Sequence, residues 1–436
     1  MHYDAVIVGS GPGGAGVARE ASRRGLRVLV LERGSAAPVT GTLAQMASMA
    51  AVPGKGAFLH RDASLLVRGL TAGGSSTLNF ATAAAPPLAR FAALGIDLAA
   101  ALDECLADLP VGPLPDELIG PMAARIMQAA QAAGLPWRKL DKMIRPQICR
   151  SGCWRCVYGC PYGAKWTARD WLDDALRAGA TLTDNARATR VLVAASPAGT
   201  KPASANAGLR ATGVAYLRDG VLHSVHADRV ILAAGGIGSP RLLHASGLGP
   251  RATPFFSDPV VAVMGSVNDI DGGAEVPMAA GMALPEQGLS FADLTLPKPM
   301  YQAFAMQVGR LDRLLAHKRT LSIMVKIRDE AGGGAGPRWA DKTLQESDRR
   351  KFREGVAVAR RVLEAAGARH IFKSWHFAAH PGGTVPIGAG VDSDLQTPVQ
   401  GLYVCDGSVL PAPWGHPPTL TLLCLGKRLG RHLGQA

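Results

Sequence analysis

Residues 3–16 read Tyr-Asp-Ala-Val-Ile-Val-Gly-Ser-Gly-Pro-Gly-Gly-Ala-Gly, and residues 27–34 read Arg-Val-Leu-Val-Leu-Glu-Arg-Gly. The apolar run 5–8 has the character of a strand buried on both faces. It enters Gly9-x-Gly11-x-x-Gly14, with Pro12 inside the turn and a helix expected over about 14–24. A second apolar run, 28–31, ends in Glu32 and Arg33. Gly9 permits a tight turn, Gly11 lets the backbone approach a pyrophosphate, and Gly14 lets the helix pack on the strand. Phosphates then sit on the free N–H groups of the helix start, and Glu32 accepts hydrogen bonds from a ribose. A plain tight turn would not bring strand, helix, second strand and terminal acid into register. The place of the motif at the opening of the chain favours FAD over NAD, because flavoproteins of this type put the ADP site first and hold the isoalloxazine with the remainder.

At 436 residues the chain calls for two structural domains. With 47% apolar and 19% charged residues, the composition is that of a soluble globular protein. Its 52 glycines and 30 prolines point to frequent turns. No stretch approaches the roughly 20 uninterrupted apolar residues of a spanning helix. The opening carries Asp4 within a strand and no basic leader region, so the expected location is cytoplasmic, with export on a partner's signal as the alternative. The net charge is +13, with basic clusters at 349–353, Arg360-Arg361 and Lys427-Arg428…Arg431. These read as solvated helix faces. No aromatic residues are interleaved with them as a stacking platform requires, which excludes nucleic acid as a partner. An acidic protein or an anionic membrane surface is a minority reading.

Further along, Gly73-Gly74-Ser75-Ser76-Thr77-Leu78-Asn79-Phe80 forms a glycine- and hydroxyl-rich loop suited to close backbone contact with a ligand. Helices are expected over 92–108, 115–134, 167–178, 301–316, 345–366 and 419–433. Strands are expected near 190–193, 213–217, 229–233, 260–264 and 321–327, with an Ala-, Ser- and Pro-rich linker at 194–207. A second strand–turn–helix junction stands at Ala234-Gly235-Gly236, and another strand ends at Asp406-Gly407-Ser408.

These blocks together resemble the glucose–methanol–choline (GMC) family of flavin oxidoreductases. The likeness rests on the N-terminal fingerprint with Glu32, on 73–79, on 235–249, and on the C-terminal unit. That unit runs from His380-Pro-Gly-Gly-Thr384 through Asp406-Gly407-Ser408 to Gly415-His416-Pro417-Pro418-Thr419. The blocks keep family order and span nearly the whole chain. The resemblance implies an α/β fold with an α+β insertion: a discontinuous Rossmann-like FAD domain (1–90, 150–250 and 381–436) and a substrate or cap domain (91–149 and 251–380) with an antiparallel sheet. It carries FAD contacts onto Gly9, Gly11, Pro12, Gly14, Glu32, Arg33, Gly73, Gly74, Ser75, Asn79, Ala234, Gly235, Asp406, Gly407, Pro417 and Thr419. Family activity is oxidation of an alcohol or sugar hydroxyl, with hydride passing to flavin N5. Two departures stand out. Gly235-Gly236 replaces the usual Gly-Ala, and the roof between Gly249 and His380 is short, so the site is more open or is covered by a partner subunit or a second copy.

Hydride abstraction from an alcohol needs a base with pKa near neutrality for the hydroxyl proton, a demand that histidine meets. The resemblance places the base at His380 and its orienting partner at His416. Two of eleven histidines falling in these turns outweighs the ordinary reading of each as a satisfied core residue. Met278, Met282, Phe291, Trp375 and Phe377 form a candidate apolar pocket, which favours a lipophilic or aryl alcohol.

Cys149-x3-Cys153-x2-Cys156-x3-Cys160-Pro161 gathers four of seven cysteines into twelve residues. Its last three match the end of a bacterial ferredoxin ligand run, so an iron–sulfur cluster (4Fe–4S or 3Fe–4S) is expected, with buried thiols, disulfides or zinc as alternatives. A cluster would send single electrons to a cytochrome, quinone or other carrier, making the protein a dehydrogenase. The competing readings are an oxidase using O2, a lyase with redox-silent flavin, and a scaffold subunit without turnover.

Overall fold

The computed structural model describes residues 2–196, 206 and 208–435. Strand His2–Val8 lies inside a sheet, parallel on one side to Val28–Leu31 and then Thr181–Thr183. On the other side it runs parallel to the later half of Val221–Leu232, which pairs in turn with Leu402–Val404. The first half of Val221–Leu232 continues the same sheet as an antiparallel meander with Leu209–Arg218 and Arg187–Ala195. The register aligns the strand ends: Val8 stands opposite both Leu31 and Leu232, and Leu232 opposite Val404. Gly9, Glu32, Ala233 and Cys405 therefore emerge along one edge. In open parallel sheets that edge is where ligands bind.

Helix Pro12–Arg23 is buried on almost every side, because Thr419–Leu433 and Ala168–Arg177 pack against it. Glycines let the first pair approach: a Cβ on Gly426 would stand 2.5 Å from the Gly13 carbonyl oxygen. Helix Ala168–Arg177 starts in a capping box formed by Thr167 and Asp170. Across these helices Arg19 pairs with Asp108 and Asp174, both at 2.8 Å. Lys427 reaches Glu20, Glu104 and Asp108 at 3.3, 3.0 and 3.3 Å. The run at Lys427 is thus not a solvated face. Lys427 itself is buried, because the last helix turns this side toward acids on two neighbours.

The second sheet has nine strands. Val260–Ser266, Thr320–Ile327, Leu289–Asp293 and Ala280–Leu284 run antiparallel in sequence across its centre. Phe377–Ala378 and Arg369–Lys373 join Val260–Ser266, and Leu65–Val67 and Ala57–Leu59 extend the edge beyond Phe377–Ala378. Period-two alternation divides the residues between two faces. Val261, Val263, Ile323 and Val325 pack under helices Pro121–Ala132 and Glu346–Ala365. Val260, Ala262, Met264 and Met324 meet Tyr301, Phe304 and Phe377 on the other face.

Several boundaries differ from expectation. The stretch 92–108 divides into Leu88–Ala92 and Ala99–Asp108, with Gly95 at φ +76 between them. The next helix is Pro121–Ala132, starting after a short 3-10 turn. The helix expected over 301–316 is Lys298–Gln307. Gly309, at φ +71, ends it while Arg310 N donates to Ala305 O. Strands Ala280–Leu284, Leu289–Asp293 and Arg369–Lys373 were not expected. Most of the linker at 194–207 lies outside the described residues. Among the described residues no helix is long and apolar enough to cross a membrane.

Gly426→Ala tests the helix contact, because two effects oppose each other there. Alanine favours a helix interior by about 1 kcal/mol, whereas a Cβ so close to backbone costs about 1–3 kcal/mol. Urea unfolding should show a net loss of stability. A gain would mean that the two helices separate freely.

Candidate active site

The aligned strand ends build a crevice from glycine turns. Gly9 has φ +106, and a Cβ on it would lie 2.3 Å from the Ala233 carbonyl oxygen; one on Gly14 would lie 2.1 Å from Gly9 O. A Cβ built on Gly11 would meet nothing within 4 Å, so space is open on that side of the N-terminus of helix Pro12–Arg23. Glu32 is buried. Its Oε2 accepts Ser10 N and Ser10 Oγ at 3.0 and 2.6 Å, and its Oε1 accepts Gly34 N at 2.7 Å. Oε1 keeps capacity for another donor. Burial pushes the Glu32 pKa up against these hydrogen bonds.

The 73–79 loop closes over this turn. Gly73 N donates to Ser10 Oγ at 3.1 Å, and the position of a Cβ on Gly74 is 3.0 Å from Gly11 Cα. Ser75 Oγ accepts Gly69 N at 2.9 Å. Asn79 Nδ2 donates to Thr419 Oγ1 at 3.3 Å, which ties the loop to the last helix just after Pro417 and Pro418. On the far side Asp406 Oδ2 accepts Gly235 N at 2.8 Å and Ser239 Oγ at 2.5 Å, and Oδ1 accepts Ser408 N beyond Gly407 at 2.8 Å. Ala234 N donates to Ser239 Oγ at 3.2 Å. These bonds join two loops that are distant in sequence.

Arg33, half-buried beside Glu32, has two companions that sequence reasoning missed. Burial, with Arg33 and Arg241 adding repulsion, pushes Arg68 down to about 9; Glu32 and Asp406 pull the other way. Burial likewise brings Arg241 down to about 10, with Arg33 contributing. Arg68 lies outside the motif blocks, and Arg241 lies within the 235–249 block without having been singled out. Their gathering brings positive charge to the crevice.

His380 and His416 come from separate turns and meet one buried network. Phe256 pairs with Gly382 through Phe256 N to Gly382 O at 3.1 Å and the reverse bond at 3.0 Å. Two residues outward, His380 Nδ1 stands 3.8 Å from Asp258 Oδ2. Asp258 Oδ1 accepts Gly415 N at 2.9 Å, and Lys326 Nζ donates to Gly415 O at 2.8 Å. Trp414 Nε1 donates to His416 O at 2.8 Å. Burial pushes the His416 pKa down, with Lys326 next among the causes. Beneath them Asp329 accepts Ser257 N at 3.1 Å and Asp258 N at 2.8 Å, and pairs with Lys342 at 2.8 Å. Asp258, Lys326, Asp329 and Lys342 carried no sequence signal. His376 instead pairs with Asp62 at 2.9 Å.

The candidate pocket residues do not share one wall. Met282 and Phe291 are core under helix Glu346–Ala365, and Trp375 is exposed. Met278 and Phe377 lie with Phe80, Met300 and Phe304 on the opposite face, where the Phe304 and Phe377 rings are 5.0 Å apart. Phe80 follows Asn79, and Phe377 precedes His380 by three residues.

Among the described residues no group of three or more His, Cys, Asp or Glu is disposed to hold a metal ion. All four thiols of the cysteine loop are free. Cys156 turns into the core, while Cys160 Sγ accepts Lys165 N at 3.3 Å. Burial, with Cys156, Cys160 and Cys153 adding, pushes the Cys149 thiol up to about 11. The iron–sulfur expectation is therefore not supported. The turn holding Lys165 has another use. Its ammonium, pushed down to about 8 by burial, donates to Thr77 O, Asn79 O and Cys156 O at 2.7, 3.0 and 2.8 Å.

The N-terminal family model of the GMC oxidoreductases matches residues 5–263, more than half of the chain, and the C-terminal one matches 335–426. The chain is a GMC oxidoreductase. An uncharacterized GMC-type oxidoreductase of Mycobacterium tuberculosis is 29% identical over 97% of this chain and 74% of the relative. A long-chain-alcohol oxidase of Arabidopsis thaliana is 25% identical over 98% of this chain and 67% of that one. Among solved structures, pyridoxine 4-oxidase from Mesorbium loti has a TM-score of 0.72 at 17% identity, covering 98% of both chains. Formate oxidase of Aspergillus oryzae has 0.74 at 16% identity, covering 99% of this chain and 98% of its own. These two show the fold.

Membership of this GMC family supports FAD as the cofactor, and the crevice fits a dinucleotide: open space over Gly11, a helix start, and arginines at its side. Gly11→Ala should leave the urea midpoint of the apoprotein unchanged, because a Cβ there meets nothing, yet lower FAD affinity at least tenfold in a titration. Equal affinity would remove Gly11 from the binding surface.

A pH measurement tests the network under the histidines. Burial pushes Asp329 from 3.8 up to about 6, with Asp258 adding and Lys342 opposing. A raised folded pKa favours the fold below about pH 4, and that contribution is lost as pH rises to 6. It amounts to about 3 kcal/mol. Relative to Asp329→Asn, the wild type should lose about that much unfolding free energy between pH 4 and pH 7. A pH-independent difference would contradict the assignment.

Proposed function

We propose that this protein oxidises the CH–OH carbon of an apolar alcohol with FAD as hydride acceptor. The observation that carries the reading is the convergence of His380 and His416, from two separate turns, on the Asp258–Lys326 pair. His380 Nδ1 is buried while its ring is partly exposed, so Nε2 is the nitrogen available to a substrate hydroxyl. His380 removes the hydroxyl proton as the carbon loses hydride, and His416 orients the same oxygen. A His416 kept neutral by burial suits that role, since it both donates and accepts. FAD, bound along Gly9, Gly11, Pro12, Gly14, Glu32, Arg33, the 73–79 loop, Ala234, Gly235, Asp406, Gly407, Pro417 and Thr419, would supply the oxidising ring.

The apolar wall of Phe80, Met278, Met300, Phe304 and Phe377 supports a lipophilic or aryl alcohol. The relative named for long-chain alcohols accords with it. The electron acceptor is a separate matter. The dehydrogenase reading leaned on a cluster, and without that support O2 and an external carrier are separated by experiment: peroxide released in air identifies the first, turnover only with an artificial acceptor the second.

Mixing the holoenzyme anaerobically with alcohols of increasing chain length should bleach the flavin. His380→Ala should slow that bleaching by about 10²–10⁴-fold while FAD content stays the same. Unchanged bleaching in the variant would remove His380 from the chemistry. A flavin that no alcohol reduces would overturn the reading as a whole.

A further inference from the structure

We infer that Asp258 is the positioning residue for both histidines: it accepts a hydrogen bond from the Nδ1–H of His380 and, through the Gly415 peptide, sets the turn that presents His416. The roles of the two histidines rest on the function proposed above; the geometry does not.

The antiparallel bridge between Phe256 and Gly382 sets Asp258 opposite His380. Asp258 is fully buried, and its Oδ2 has no hydrogen-bond partner. His380 Nδ1 is likewise buried and unpartnered, and the two atoms face each other at 3.8 Å. Both groups forgo bonds that water would have supplied, so a small side-chain rotation that joins them is favoured. Nδ1 would then carry the proton and Nε2 the lone pair, which is the form a base needs toward substrate.

The same carboxylate reaches the second histidine. Its Oδ1 accepts Gly415 N at 2.9 Å, while Lys326 Nζ, 3.9 Å from Oδ2, holds Gly415 O at 2.8 Å. Gly415 is thus gripped at both ends immediately before His416. It has φ +86, and a Cβ on it would sit 2.9 Å from Arg328 Cβ. Asp258 itself has φ +47, a left-handed conformation that aspartate and asparagine tolerate better than most residues. Asp329, accepting both Ser257 N and Asp258 N, maintains it. A residue that only balanced Lys326 would need no such strained backbone facing an unpaired imidazole nitrogen.

Asp258→Asn is the decisive variant, because asparagine accepts the left-handed backbone and can still receive Gly415 N, but removes the charge facing Nδ1. In ¹⁵N-histidine-labelled holoenzyme, with His380→Ala for assignment, wild-type His380 should be the Nδ1–H tautomer. Asp258→Asn should convert it to a mixture or to Nε2–H. Anaerobic flavin reduction should slow about 100-fold or more, and Asp258→Asn/His380→Ala should be no slower than His380→Ala alone. An unchanged tautomer, or losses that multiply in the double variant, would overturn the inference. Should Asp258→Asn not fold, the wild-type spectrum decides, since His380 in the Nε2–H form excludes the assignment. The tautomer is read without substrate, so failure of the proposed reaction and failure of this role are distinguishable.

Discussion

Parallel register is the constraint from which the site follows. Val8 aligned with Leu31 and Leu232, and Leu232 aligned with Val404, bring four loops out on one edge. Each loop then begins with what that edge requires: Gly9, Glu32, Ala234-Gly235, and Asp406. Slipping one strand by a residue would turn its side chains to the other face and displace its loop along the crevice. Glycine packing locks the arrangement, since Gly9 and Gly14 already lie against neighbouring backbone where a Cβ would overlap.

The second structural theme is the use of buried ammonium groups to join loops. Lys142, Lys165, Lys326 and Lys342 are all buried. Lys142 donates to Phe80 O, Pro277 O and Met278 O at 2.5, 2.9 and 3.0 Å. Lys342 donates to Phe255 O and Glu330 O. Irregular segments carry carbonyls with no ladder partner, and burying them unpaired is costly. An ammonium offers three donors on a long apolar stem and satisfies several such carbonyls at once. Lys165 ties the 73–79 loop to the cysteine loop, and Lys142 ties Phe80 to the second sheet. The price is desolvation, visible in Lys142 and Lys165, each pushed down to about 8.

What the sequence revealed and what it hid divide along the same physical line. The dinucleotide crevice was legible because its demands are local: a turn, a helix start and an acid at fixed spacing. His380 and His416 were legible through their surrounding turn residues. Asp258 and Lys326 were not: Lys326 stands in an apolar strand and Asp258 in the turn just before one, and each gains its role only when distant parts of the chain pair. The pocket failed for the opposite reason. Met282 and Phe291 have the composition of a lining, but alternation along their strands sends them under a helix, while Met278 and Phe377 reach the other face. The cysteine run gains no support as a metal site: among the described residues no group is disposed to hold a metal ion, the 3-10 turn Arg155–Tyr158 buries Cys156, and Cys160 Sγ accepts Lys165 N.

The two sheets meet where chemistry is needed. His380 leaves the second sheet just after Phe377–Ala378, and the next residues pack into the first domain: a Cβ on Gly236 would lie 2.0 Å from Pro381 O, and Thr384 Oγ1 donates to Gly236 O at 2.9 Å. Gly236 belongs to the helix that begins at the crevice edge. The turn that follows His380 therefore packs between the element that shapes the crevice and the segment that carries Asp258. The backbone on its C-terminal side is held in place, which that of a base on a free loop would not be. The substitution of Gly236 for the family's usual alanine has a reason here. An alanine Cβ at that position would overlap the Pro381 carbonyl and move the histidine turn outward.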